Sequence, residues 1–173
     1  MNIQTLKEQL PVCAKDIKLN LSSVLSEEGA ADLNLVQIYS IALACAYAVK
    51  SRALAEAILA ESSLSEAYIE ASKAAASIMS MNNIYYRFVH LASDKSFATM
   101  PAKLRMNVIA SPGIDKVDFE LSCLAVSAIN GCGMCIDAHA KTLEQSAVSK
   151  LAVQSAVRIA AVINAAAASL EMV

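Results

Sequence analysis

The chain has 173 residues, 57% apolar and only 17% charged, with 14 Lys plus Arg set against 16 Asp plus Glu. That length suits one domain or two small fused halves, and the near-balanced charge, with no basic stripe, excludes nucleic acid as a natural partner. The longest uncharged runs, 33–49 and 121–136, fall short of a bilayer span and contain Asn34, Gln37 and Asn130, so no membrane association is expected.

The N-terminal segment carries Lys7, Glu8 and Asp16 with no long apolar core, which argues against a signal peptide and makes a cytoplasmic protein the expectation. β-Branched alternation is absent almost throughout. The apolar excess is largely alanine, the strongest helix former, as in 42–48 and 165–168. An all-α fold follows, with helices expected at about 2–9, 14–21, 34–49, 51–60, 64–92, 102–108, 116–129, 132–143 and 146–169. Ser63-Leu64-Ser65-Glu66 is a capping-box candidate for the long helix, and Ser111-Pro112-Gly113 is a turn that no helix should cross. So much small apolar surface with so little charge predicts that other subunits cover part of it.

The two halves of the chain show weak self-similarity. Residues 17–21 echo 104–108, the segment 38–59 takes the place that 121–142 holds later, and 65–82 can be laid on 147–164. We read one all-helical domain, 1–173, made of two related, degenerate helical halves: a non-catalytic half at 1–92 and a catalytic half at 93–173.

Chemistry concentrates in the second half. Cys13, Cys45 and Cys123 sit singly in apolar contexts and read as packing, in keeping with a reducing compartment. Cys132 and Cys135 differ, being three apart with His139 four beyond the second and Glu120 upstream. On a helix starting near Cys132, Cys135 lies about 60° around the axis from it and His139 falls between them, while Asp137, Lys141 and Glu144 project to the other side. Asn130-Gly131 and Gly133 place Cys132 in or near the first turn, where unpaired N–H groups favour a thiolate. Two sulfurs at i and i+3 can bridge. Metal binding fits poorly, because three ligands along two turns of one helix do not wrap a tetrahedron. Glu120, on the flank of a stripe made by Val117, Leu121, Leu124 and Ala128, is the long reach. It lies about 18 Å from Cys132 along its helix, and His139 returns only about 10 Å, leaving several ångströms to close. His90 reads as a surface residue, and Met79, Met81 and Met106 as core filler.

At Glu120, Cys132, Cys135 and His139 the chain resembles the alkylhydroperoxidase D branch of the carboxymuconolactone decarboxylase-like superfamily, whose pattern is an acid followed by Cys-x-x-Cys-x-x-x-His. Asn130-Gly131-Cys132, the length and the helical composition look like this family too, so the resemblance covers nearly the whole chain. Met134 departs from the pattern, standing where the best-known form has a histidine. The resemblance implies an antioxidant peroxidase with an alkylhydroperoxidase-like fold. It implies a homotrimer acting on small-molecule hydroperoxides with no tightly bound cofactor, reduced by a dihydrolipoyl dithiol on a lipoylated 2-oxo acid dehydrogenase component and able to pass electrons to a peroxiredoxin. Cys135 is then the peroxidatic thiol, His139 takes its proton, Glu120 polarises the relay, and Cys132 closes a redox-active disulfide and is the more exposed sulfur for the reductant. An apolar setting around Leu124, Ile136 and Leu143 would favour organic hydroperoxides. The alternative is a protein disulfide reductase, or an electron adaptor for a peroxiredoxin, without peroxide activity of its own.

Overall fold

A computed structural model describes all residues 1–173, and it contains helices and no strand. The helices are α1 (Ile3–Gln9), α2 (Lys15–Val24), α3 (Leu35–Ala48), α4 (Arg52–Glu61), α5 (Glu66–Leu91), α6 (Asn107–Ala110), α7 (Lys116–Asn130), α8 (Gly133–Gln145) and α9 (Lys150–Leu170), with short 3-10 turns at Val12–Ala14 and Lys95–Thr99. The all-α reading holds.

Polar side chains set most helix starts by accepting from backbone N–H groups that have no partner within the helix. Asn2 caps α1 through Thr5 N at 2.8 Å, Asp115 caps α7 through Val117 N at 2.8 Å, and Ser149 caps α9 through Ala152 N at 3.0 Å. The capping box lies elsewhere than expected. Asn34 and Gln37 exchange bonds at the start of α3, whereas α5 begins after Ser65 with no side-chain cap and Ser63–Glu66 forms no such box.

The helix expected over 102–108 does not form. Lys103 sits at φ +51°, in the left-handed region that a right-handed helix cannot include, and the chain stays irregular until the single turn of α6. Residues 104–108 therefore do not match the helical 17–21 in structure, and that echo is compositional.

At the centre is α7, packed against α3, α5, α8 and α9, and every residue from Asp118 to Ser127 is buried. A helix surrounded on all sides has no solvent face, so the one-sided stripe read from Val117, Leu121, Leu124 and Ala128 understates its burial. The larger core joins α2, α3, α4, α7 and α9. A smaller one, Ala44, Ala71, Ala75, Met79, Phe119, Cys123 and Val126, lies between α3, α5 and α7, where the alanines let the helices approach closely. Asp118 is tied from two sides, by Gln37 Nε2 at 2.7 Å and the Tyr68 hydroxyl at 2.6 Å, which fixes the start of α7 against α3 and α5.

By length and composition alone α9 could cross a membrane. Its apolar stripe is instead built into the core through Ala152, Ala156, Ile159, Ala160, Ile163 and Ala166, and Arg158 reaches across to the Gly29 carbonyl at 2.8 Å.

Candidate active site

The site is built at the turn between α7 and α8. Gly131, at φ +66° and ψ +36°, ends α7 in the left-handed conformation that a residue without Cβ adopts freely. Its N–H bonds the Ala128 carbonyl at 3.2 Å, and Cys132 N bonds that of Ser127 at 3.2 Å. The reversal sends α8 back along α7. Cys132 is the N-cap of α8, and its sulfur accepts from Cys135 N at 3.4 Å. A polar network pins this turn to α5: Asn83 Nδ2 donates to Ser127 Oγ at 2.9 Å, and Asn130 Nδ2 donates to Asn83 Oδ1 at 2.9 Å. Arg87 also donates to the Asn130 carbonyl.

Cys132 and Cys135 are bridged, with Cα atoms 5.3 Å apart, inside the usual disulfide range. His139 is buried on the same side of α8 as Cys135, while Asp137, Lys141 and Glu144 face solvent as the helical wheel requires. The doubtful reach is closed: His139 Nδ1 lies 2.6 Å from Glu120 Oε2, both groups buried. A carboxylate on Nδ1 fixes the ring and leaves Nε2 as the end that can exchange a proton. That nitrogen lies 3.3 Å from Met79 Sδ.

In front of these groups lies a cleft of about 230 Å3 lined by Met79, Asn82, Tyr86, Ile109, Met134, Cys135, Ala138 and His139. Cys132 is not the more exposed cysteine: the residue is fully enclosed (0%), whereas Cys135 retains 6% exposure and lines the cleft. The apolar lining also comes from other residues than foreseen, because Leu124 and Leu143 are interior to the main core and Ile136 packs against it. Nor is Met79 mere filler. It contributes to the smaller core and also meets the His139 ring, Ser127 Oγ and Asn83 Nδ2 through its sulfur.

The remaining cysteines are of two kinds. Burial pushes the Cys45 thiol far above its ordinary range, and burial reinforced by the charge of Glu120 does the same to Cys123. Cys13, expected as packing, is exposed within the short turn at Val12–Ala14. His90 is exposed, as expected. No cluster of three or more His, Cys, Asp or Glu side chains is arranged to hold a metal ion.

The α5 wall escaped the sequence reading. Met79, Asn82, Asn83 and Tyr86 fall at i, i+3, i+4 and i+7, one stripe of a helix. Two adjacent asparagines in the middle of an alanine-rich helix, where asparagine is a weak helix former, were the signal that could have found it.

The carboxymuconolactone decarboxylase family matches residues 95–173, which carry Glu120, Cys132, Cys135 and His139. A protein of Coxiella burnetii (strain RSA 493 / Nine Mile phase I), named alkyl hydroperoxide reductase AhpD, is 60% identical over 164 residues, covering 94% of this chain and 93% of its own. The chain belongs to the AhpD family. Relatives of the same name from Rhodopseudomonas palustris (strain BisA53), 56% identical, and Azorhizobium caulinodans, 54% identical, each align over 173 residues, 99% of this chain and 94% of theirs. These AhpD likenesses span α5 as well as α7 and α8, so both walls of the cleft lie within them.

Proposed function

We propose that the protein reduces alkyl hydroperoxides to alcohols through a Cys132–Cys135 dithiol–disulfide cycle. As a member of the AhpD family it is an oxidoreductase of the alkyl hydroperoxide reductase type. The observation that carries the cycle is the placement of Cys135: it lines an apolar cleft, with its bridging partner enclosed behind it and the His139–Glu120 pair beside it.

In the reduced state His139 Nε2 takes the Cys135 proton, directly or through a water, and Glu120 stabilises the resulting imidazolium from Nδ1. The thiolate attacks the terminal oxygen of ROOH. A sulfur–oxygen bond forms as the oxygen–oxygen bond breaks, sulfur gives up two electrons, and the leaving alkoxide recovers its proton from His139 as ROH. Cys132 then condenses with the Cys135 sulfenic acid, expelling water and forming the disulfide before further oxidation.

Regeneration needs a dithiol, for which a dihydrolipoyl group is our choice. The burial of Cys132 assigns its attack to Cys135, the sulfur facing the cleft. Cys132 then leaves as a thiolate at the N-terminus of α8, accepting from Cys135 N, and a stabilised thiolate leaves faster. A homotrimer, a lipoylated 2-oxo acid dehydrogenase component and a peroxiredoxin as partners, a cytoplasmic setting, no tightly bound cofactor, and related halves at 1–92 and 93–173 complete the proposal. Consumption of cumene hydroperoxide in the presence of dihydrolipoamide tests it. Turnover requiring both enzyme and dithiol supports the reading; a disulfide that exchanges with thiols yet never responds to hydroperoxide would assign an electron adaptor instead.

A further inference from the structure

Asn82 is the one buried side chain left unpaired. It is 4% exposed, it lines the cleft, and its Oδ1 is the single enclosed side-chain nitrogen or oxygen without a hydrogen-bond partner. An enclosed acceptor left unmet is destabilising, and a partner that enters the cleft would relieve it. The neighbouring asparagine is the contrast: Asn83, one residue on, spends both ends of its amide on Ser127 and Asn130. The backbone of Asn82 stands at the reacting atom, since its carbonyl oxygen lies 3.9 Å from Cys135 Sγ. The rest of the cleft around the sulfur is carbon and thioether, apart from the Tyr86 hydroxyl, which is turned toward Met106 Sδ, and the His139 ring.

We propose that the Asn82 side-chain amide binds the O–O–H group of the hydroperoxide and presents its terminal oxygen to Cys135. This deepens the peroxidase reading and rests on it. An amide offers an acceptor and a donor side by side, and a hydroperoxide offers the complement. Nδ2 donates to the oxygen that carries the alkyl group, and a turn of the amide about its last side-chain torsion brings the enclosed Oδ1 round to accept from the hydroperoxide O–H. The alkyl group lies against Ile109 and Met134. As Cys135 Sγ attacks, the terminal oxygen keeps its hydrogen and becomes the sulfenic acid, while negative charge grows on the departing oxygen, which Nδ2–H stabilises until His139 protonates it. By this assignment Asn82 is a catalytic residue that the Cys-x-x-Cys-x-x-x-His pattern does not contain.

The test compares reduced wild type with Asn82→Leu, of similar size, and Asn82→Ala, by following disulfide formation on the intact protein after mixing with cumene hydroperoxide or hydrogen peroxide. Iodoacetamide alkylation of Cys135, which needs the thiolate and no hydroperoxide binding, runs in parallel, and thermal melts confirm folding. If Asn82→Leu fails to fold, Asn82→Ala carries the comparison. The proposal predicts that the peroxide rate falls about 100-fold, the scale of losing one donor to a developing oxyanion. The loss is the same for both peroxides, because the contact is to the group they share, and alkylation is little changed. Variants that react with peroxide at the wild-type rate would overturn it, as would peroxide and alkylation rates falling together. A wild type that does not react with peroxide at all would overturn the peroxidase reading itself, and the proposal with it.

Discussion

His139 Nδ1 and Glu120 Oε2 meet at 2.6 Å although 19 residues and a helix reversal separate them. Both are buried, so the pair is little screened by solvent, and the carboxylate sets which ring nitrogen faces the cleft. In Glu120→Gln the imidazolium loses its counter-charge and thiolate formation at Cys135 requires higher pH. The pH profile of Cys135 alkylation should move upward. An unchanged profile would remove Glu120 from the proton relay.

The cysteines separate by their place at the cleft. Cys135→Ser should abolish peroxide reduction, while Cys132→Ser should still form a sulfenic acid that dimedone traps, because only the partner that closes the disulfide is missing. Sulfenic acid formation at the wild-type rate in Cys135→Ser would reverse the assignment.

Alkylation of the native, reduced protein should divide the other three thiols as well. Cys13 is exposed and should be modified readily, whereas Cys45 and Cys123, buried and held strongly protonated, should stay silent until the protein unfolds. Mass analysis of peptides reads the pattern. Early labelling of Cys45 or Cys123 would contradict the packing of α3 and α7.

Gly131 carries the reversal that returns α8 to α7. A methyl group there meets nothing within 4 Å, so Gly131→Ala suffers only the left-handed backbone penalty, about 1 kcal/mol. A lower urea midpoint with the disulfide still forming is the expected outcome. Unaltered stability would mean that the turn does not hold this conformation.

Tyr68 gives a pH signature of the α5–α7 anchor. Its bond to Asp118, with burial and the Asp118 charge adding to it, pushes its pKa from 10.0 up to about 12. Raised in the folded state, it contributes stability fully present below pH 10 and lost as pH rises toward about 12. Tyr68→Phe should lower stability at neutral pH and remove that part of the alkaline decline, read from urea midpoints across the range. An alkaline decline identical to wild type would show that the hydroxyl does not titrate against Asp118.

The grouping of Cys132, Cys135 and His139 is legible in the sequence because its determinants are local. Cys132, Cys135 and His139 lie within two helical turns, so one periodicity places them on one face, and Gly131 marks the turn before them. Glu120 was legible as a residue type but not as a distance, because its reach depends on how α8 returns along α7. The cleft's opposite wall was invisible for a related reason. Met79, Asn82 and Tyr86 approach Cys135 only through packing of α5 against α8, which no spacing in the chain encodes. The enclosure of Cys132 is not legible in the sequence, because helix position predicts the polarity of a sulfur's surroundings and says nothing of what lies on top of it. The 102–108 segment misled by composition: Leu104, Met106 and Val108 suit a helix, but Lys103 lies in the left-handed region and only the single turn of α6 forms.

The most direct test is the mass of the intact, fully reduced protein before and after one equivalent of cumene hydroperoxide. Loss of two hydrogens, with no oxygen retained and the new bond mapped to Cys132 and Cys135, is the predicted result. An unchanged mass, or a stable gain of oxygen on either cysteine with no bridge between them, would contradict the proposed cycle.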